Sequence, residues 1–314
     1  MGSSAITLEN LTRRFDDLVA VDHLTFDIGE GEVFGLLGHN GAGKTTTVRL
    51  LSGVLSPDDG SARVLGLDPQ KNGADLRRRI GVLTETPSID ERLSARENLT
   101  IFADLFGIPS DDVTPRIDAL LERFELLERA AEKTSEYSKG MKQRLALART
   151  LLHEPDLIFL DEPTAGLDPI AARDVRDMIR RLSGDEGRTI VMATHNLAEA
   201  QRLCHRVAVL EHGRLLALGT LRELNERLGG ALRFTLELDP TTCETAQQTL
   251  RAMDGATFEL ERPDTLTVTG VPRAHIPEMI TALAGAGVRL YRVEPQEASL
   301  EELYFALHAT EERR

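Results

Sequence analysis

The chain has 314 residues, 41% of them hydrophobic, and a formal charge of −14. At about 150 residues per domain this length accommodates two domains, each able to bury a core. The acidic balance argues against a general nucleic-acid clamp, which concentrates Lys and Arg on one face, so no nucleic-acid partner is expected. Nowhere do about 18 apolar residues run together, so no bilayer-spanning helix is expected. Cys204 and Cys243, with no signal peptide ahead of them, fit a reducing compartment and read as small core residues.

Residues 5–35 alternate apolar and polar positions in short runs, Ala5 to Leu8 and Leu24 to Ile28, as small antiparallel strands do, with Phe15 in the loop between them. The apolar run Val33 to Leu37 follows as a buried strand. It leads into Gly38-His39-Asn40-Gly41-Ala42-Gly43-Lys44-Thr45 and then Thr46 to Leu51, which reads as a helix. A glycine-rich loop between a strand and a helix lets backbone N–H groups converge on phosphate oxygens. Lys44 can reach the β and γ phosphates as a point charge, and the Thr45 hydroxyl is placed to ligate the magnesium ion that travels with a nucleotide. The bland alternative is a Gly-rich turn, which the flanking strand and helix argue against.

Beyond this loop, Ser61 to Leu65 and Ile80 to Leu83 read as strands, the latter ending at Thr84-Glu85-Thr86-Pro87. About 90–150 forms a helical insert, with Leu99, Phe102 and Phe106 on one helical face and Ile117, Leu120, Leu121 and Phe124 on another. Ser138 is placed as the N-cap of a helix running through Leu145 and Ala148, and two lysines, Lys139 and Lys142, make its N-terminus attractive to anions. Leu157 to Leu160 then delivers Asp161 and Glu162 at the carboxyl end of a buried strand, the edge where open α/β sheets bind ligands. Asp161 suits magnesium, and Glu162 suits orienting or deprotonating a water aimed at a γ phosphate. Thr189 to Ala193 makes another buried strand that ends at Thr194-His195, where an imidazole can donate to a phosphate oxygen. A hairpin over 206–218 and a helix from Leu221 to Leu228 close the first domain, placing its limits at 1–228 and a Gly229-Gly230 boundary.

The segment 229–314 reads as βαββαβ, a ferredoxin-like order, with a Ser299/Glu302 capping box opening a last helix. It carries no catalytic constellation. The fold class is therefore α/β: a P-loop cassette with a mixed sheet core, a small antiparallel β subdomain and a helical insert, followed by a small α+β ferredoxin-like domain.

The first 225 residues resemble the nucleotide-binding subunit of ATP-binding cassette transporters, because the landmark motifs occur in the family's order. Gly38 to Thr45 matches the Walker A loop, Ser138-Lys139-Gly140-Met141-Lys142 the signature, Leu157 to Glu162 the Walker B strand with its glutamate, Ala165 to Asp168 the D-loop, and His195 the switch histidine. The resemblance implies an ATPase using Mg-ATP, with Lys44, Glu162 and His195 catalytic and Phe15 stacked on adenine. It also implies nucleotide contacts from the Walker A loop through Thr46 and from Ser138, Gly140 and Asp168. Thr45, Asp161 and Glu85 are the implied magnesium ligands. Glu85 stands where the family has a Q-loop glutamine, on a loop expected to leave the strand beside the P-loop strand. Two copies are expected to close head to tail on ATP at the cytoplasmic face of the cell membrane, driving a separate membrane-spanning permease. The C-terminal module looks like the extension on drug-exporter and sodium-exporter type ATPase subunits, which points to export. Two other readings share the motifs: a soluble cassette ATPase acting on ribosomes or DNA, and a nucleotide-sensing module that switches a partner by binding alone. The first usually carries two cassettes or a long coiled coil, and Glu162 with His195 counts against the second.

Overall fold

The computed structural model describes residues 3–86, 88–227, 233–253, 255–296 and 299–311. Contacts divide the chain into two units, Met1–Thr220 and Leu221–Arg314.

The first unit opens with two twelve-residue strands, β1 (Ser4–Phe15) and β2 (Leu18–Gly29), longer than the short runs expected from the sequence. Their antiparallel pairing shifts register at several points, which interrupts the alternation and hides the strands' full length. Phe15 thus ends a strand instead of lying in a loop. The P-loop strand β3 (Val33–Leu37) leads to α1 (Lys44–Leu51), and β4 (Asp59–Val64) returns to pair with β1, making a three-stranded antiparallel sheet. A short helix α2 (Gly73–Arg77) precedes β5 (Ile80–Leu83).

The insert supplies α3 (Ala95–Phe106) and α4 (Ser110–Arg123). Its first helix starts at a complete capping box, in which the Ser94 hydroxyl accepts from the Glu97 N–H and the Glu97 carboxylate accepts from the Ser94 N–H. Helix α5 (Lys139–Leu151) starts at Ser138, whose hydroxyl accepts the Met141 N–H at 3.2 Å. Strand β6 (Leu157–Asp161), α6 (Pro169–Gly184), β7 (Thr189–Thr194), α7 (Leu197–Leu203), β8 (Arg206–Glu211) and β9 (Arg214–Gly219) complete the unit.

The second sheet has the order β5-β6-β7-β3-β8-β9, parallel except for β9, which runs antiparallel to β8. Strands β3, β6 and β7 are buried at every residue, as parallel strands covered on both faces must be, and so read as unbroken apolar runs. One core cluster joins β1 and β2 to β3, β6, β7 and β8, with the rings of Phe26 and Phe34 stacked at 5.4 Å. Phe159 in β6 is fully buried, and truncating such a side chain to alanine costs about 3–5 kcal/mol. Cys204 is half-buried with its Sγ against Gly35, and burial of the thiol pushes its pKa up, so the thiol is inert; Cys243 is buried.

The second unit begins with α8 (Leu221–Arg227), which the contacts assign here and not to the cassette as expected. The Gly229-Gly230 boundary, Pro87 and Leu232 lie outside the described residues. Then come β10 (Arg233–Leu238), α9 (Cys243–Arg251), β11 (Thr257–Arg262), β12 (Thr265–Thr269), α10 (Ile276–Gly285), β13 (Leu290–Gln296) and α11 (Leu300–Glu311). The antiparallel sheet order β11-β12-β10-β13 places the first strand between the third and the fourth, the arrangement of a ferredoxin-like βαββαβ module. It has its own core around Phe234, Leu236, Leu250, Leu266, Met279 and Leu283.

Candidate active site

Parallel register gathers the site. Leu37 at the end of β3 pairs with Thr194 at the end of β7, Asp161 at the end of β6 pairs with Ala193, and Leu83 at the end of β5 pairs with Leu160. Loops leaving these ends therefore open at one sheet edge, although more than a hundred residues separate Lys44 from Asp161 and Glu162.

The P-loop turns sharply into α1. Gly43 sits at φ +102°, and a Cβ there would lie 2.4 Å from the carbonyl oxygen of Ala20, so both conformation and space require glycine. The Lys44 ammonium donates to the Gly38 carbonyl at 2.7 Å and to the His39 carbonyl at 3.1 Å. Burial lowers the Lys44 pKa, while Glu162, Asp161 and Glu85 act to raise it.

The Thr45 hydroxyl donates to Asp161 Oδ2 at 2.9 Å. Burial raises the Asp161 pKa, the Thr45 hydrogen bond opposes this, and the nearby carboxylates Glu162 and Glu85 reinforce it. A hydroxyl and a carboxylate, both hard oxygen donors, beside carboxylates that repel one another suit a small divalent cation.

Glu162 follows β6 at φ +49°, a conformation that costs a non-glycine residue about 1–3 kcal/mol and that the surroundings must hold. Its N–H donates to the Ala193 carbonyl at 2.9 Å. Its buried carboxylate accepts the Thr194 hydroxyl at 3.0 Å on Oε2, and on Oε1 the His195 N–H at 2.9 Å, with His195 Nδ1 at 2.6 Å from the same oxygen. The strained backbone and these contacts hold the side chain against the end of β7. The His195 side chain is 59% exposed, so its other edge faces solvent.

A cleft of about 310 Å³ is lined by Phe15, Asn40, Gly41, Gly43, Lys44, Thr45, Thr46, Glu85, Asp161 and Glu162, with Leu18 and Ala20. Lys44 is its one cationic lining residue among the described residues. Phe15 is 38% exposed with the Arg13 guanidinium 4.8 Å from its ring centre, leaving ring surface open. Glu85 reaches the cleft from the loop after β5, which is one of the sheet's two edge strands and is separated from β3 by β6 and β7; the expectation that its strand lies beside the P-loop strand is corrected.

Gly38, His39 and Ala42 belong to the loop but do not line the cleft, nor do Ser138, Gly140 and Asp168. Ser138 caps α5, and Gly140 packs against Ala171. Asp168, expected at the nucleotide, caps α6: its Oδ1 accepts the Ile170 N–H at 2.9 Å and the Ala171 N–H at 3.0 Å, and the Ala171 bond foremost holds its pKa low. Two residues escaped the sequence reading. Thr194 anchors Glu162, and its only signal is a hydroxyl before the histidine at a strand end. Gln143 on α5 is buried and donates to the Pro163 carbonyl at 2.8 Å, tying the helix to the turn after Glu162.

Residues 21–165 match the family model described as ABC transporter. Over 314 residues the chain is 37% identical to the daunorubicin resistance ATP-binding protein DrrA3 of Streptomyces coeruleorubidus, covering all of this chain and 98% of that one. It is 42% identical over 226 residues to the Nod factor export ATP-binding protein I of Burkholderia pseudomallei, covering 72% of this chain and 74% of that one. A solved structure described as the ATP-binding subunit of an ABC transporter superposes with a TM-score of 0.67 at 31% identity, over 72% of this chain and 94% of the other. With a P-loop, two strand-end carboxylates and a histidine gathered at one sheet edge, the chain belongs to the ABC transporter family as an ATP-binding, ATP-hydrolysing subunit.

Proposed function

We propose that the chain hydrolyses Mg-ATP at the interface of a head-to-tail homodimer and that this cycle drives export through a separate membrane-spanning protein, from the cytoplasmic face of the membrane. The observation that carries the reading is the single cleft in which Lys44, Thr45, Asp161 and Glu162 converge. Lys44 and the P-loop amides hold the β and γ phosphates, and the Phe15 ring carries adenine. Thr45 and Asp161 would hold magnesium, with Glu85 nearby, and that ion would supply charge neutralisation of the phosphates. Glu162 accepts the proton of the attacking water, and His195, held by Glu162, donates to the γ phosphate.

Ser138, Gly140 and Asp168 stand outside this cleft in their own chain, which supports a role toward the nucleotide of a second copy. Relatives named for daunorubicin resistance and Nod factor export support export as the direction. No helix among the described residues is long and apolar enough to cross a membrane, which fits a pathway formed by another chain. The C-terminal module, with its own core, is assigned a regulatory or dimer-bracing role.

The test is co-expression with the proteins encoded beside this chain, among which a membrane-spanning one is expected. A detergent-stable complex with a faster ATPase than the isolated chain is expected; a ribosomal or DNA-repair neighbour that binds instead would favour the soluble alternative. Glu85→Gln should stay active, because the amide keeps an oxygen for magnesium and repels the γ phosphate less. A magnesium titration checks this, and a several-fold higher magnesium requirement would make the Glu85 carboxylate an essential ligand.

A further inference from the structure

Outside the nucleotide cleft, His39, Glu211 and His212 each place one ligand atom within 4.8 Å of the others. The two histidines come from loops that share no sequence neighbourhood, the P-loop and the β8–β9 turn, and their ring centres are 5.5 Å apart at 66°. Parallel pairing of β3 with β8 brings the loops together. The backbone fixes them there: the Gly213 N–H donates to the Ala42 carbonyl at 3.2 Å, and the Asp22 N–H donates to the Gly213 carbonyl at 2.8 Å. His212 at φ +45° and Gly213 at φ +78° form a tight hairpin turn, and a Cβ on Gly213 would lie 2.9 Å from the Ala20 carbonyl.

We propose that His39, Glu211 and His212 form a binding site for a zinc-like transition-metal ion that clips the P-loop to the β8–β9 turn and lowers ATP turnover. Two imidazoles and a carboxylate are a donor set for zinc, cobalt, nickel or copper, whereas magnesium and calcium prefer oxygen alone. His39 Nδ1 lies 2.6 Å from the Asn40 carbonyl, which can only accept, so Nδ1 carries the proton and Nε2 presents its lone pair. A backbone carbonyl holding one ring nitrogen while the other binds metal is the usual arrangement of ligating histidines. Both histidines are exposed, so small side-chain rotations bring the donors to the roughly 2.0–2.1 Å of a zinc–nitrogen bond, with water filling the remaining position. None of the three residues lines the nucleotide cleft, so the site is separate from the one that suits magnesium.

The consequence for turnover follows from His39 itself. Its carbonyl accepts from the Lys44 ammonium. An ion that pins the His39 side chain to the hairpin keeps that carbonyl turned toward Lys44 and opposes release of the ammonium to phosphate. This part rests on the proposed hydrolysis; the binding part does not.

The experiment is calorimetric titration of the full chain with zinc chloride in excess magnesium, repeated on His212→Asn, since asparagine tolerates the left-handed turn, and on Glu211→Gln. One zinc per chain is expected, weakened by at least about tenfold in each variant, with circular dichroism unchanged. Equal zinc affinity in the wild type and in His212→Asn, or no binding in the wild type, would overturn the site. In a parallel ATPase assay, both variants should match the wild type without zinc and escape the inhibition that zinc causes in the wild type. Inhibition of equal strength in His212→Asn would place the inhibiting ion at Thr45 and Asp161 and overturn the clip.

Discussion

Glu162→Gln is expected to lower ATP turnover by about a thousandfold while leaving ATP affinity nearly unchanged, because a positioned general base contributes about 10²–10⁴ to a rate. The fold around the side chain should survive. The amide oxygen can still accept from the His195 N–H, and the Thr194 hydroxyl can rotate to accept from the amide nitrogen. The lost property is the ability to take a proton from water while held beside the Lys44 ammonium and the Asp161 carboxylate. Steady-state ATPase rates, with nucleotide binding measured separately, check this, and thermal melting shows whether the variant is folded. Turnover close to wild type would remove Glu162 from the mechanism.

Lys44→Ala is expected to weaken ATP binding by about thirtyfold, since hydrogen bonds from a charged donor are worth about 1.5–3 kcal/mol each. The side chain reaches the cleft from the first residue of α1, and its ammonium, the one cationic group among the described lining residues, faces the carboxylates of Asp161, Glu162 and Glu85. Removing it leaves those carboxylates facing an incoming polyanion with no fixed cation among the lining residues. Equilibrium titration with a fluorescent ATP analogue reads the loss directly. Affinity equal to wild type would show that the backbone amides and magnesium suffice to hold the phosphates. The pair of variants separates binding from chemistry, because Lys44→Ala acts before hydrolysis and Glu162→Gln during it.

The parts of this site that sequence made legible are those built from one continuous segment. Val33 to Leu51 is strand, loop and helix in a single run, and Leu157 to Glu162 is a buried strand that ends in carboxylates, so each motif carries its own context. The ferredoxin-like order of the second unit was legible for the same reason, since its strands and helices alternate clearly along the chain. Lateral strand order was less accessible. Nothing local to Ile80–Leu83 says that it lies at the sheet's edge, because the order of parallel strands depends on crossovers through distant helices. The length of β1 and β2 was hidden by register shifts, which break the period-two pattern. Asp168 is instructive in the other direction: Asp-Pro before a helix is an ordinary cap signal, and the cap is what its carboxylate makes in this chain. The contacts of Thr194 with Glu162, and of His39 with His212, join residues that only the sheet brings together.

In the proposed cycle two copies close on ATP, each supplying Ser138 and Gly140 to the nucleotide held by the other. The most direct measurement is the mass of Glu162→Gln in solution by light scattering, with and without Mg-ATP, alongside the same protein carrying Ser138→Arg. Mg-ATP is expected to double the mass from 34.6 kDa for Glu162→Gln, and Ser138→Arg to abolish the doubling while ATP still binds. A Glu162→Gln chain that binds Mg-ATP and stays at 34.6 kDa, or a dimer indifferent to Ser138→Arg, would contradict it.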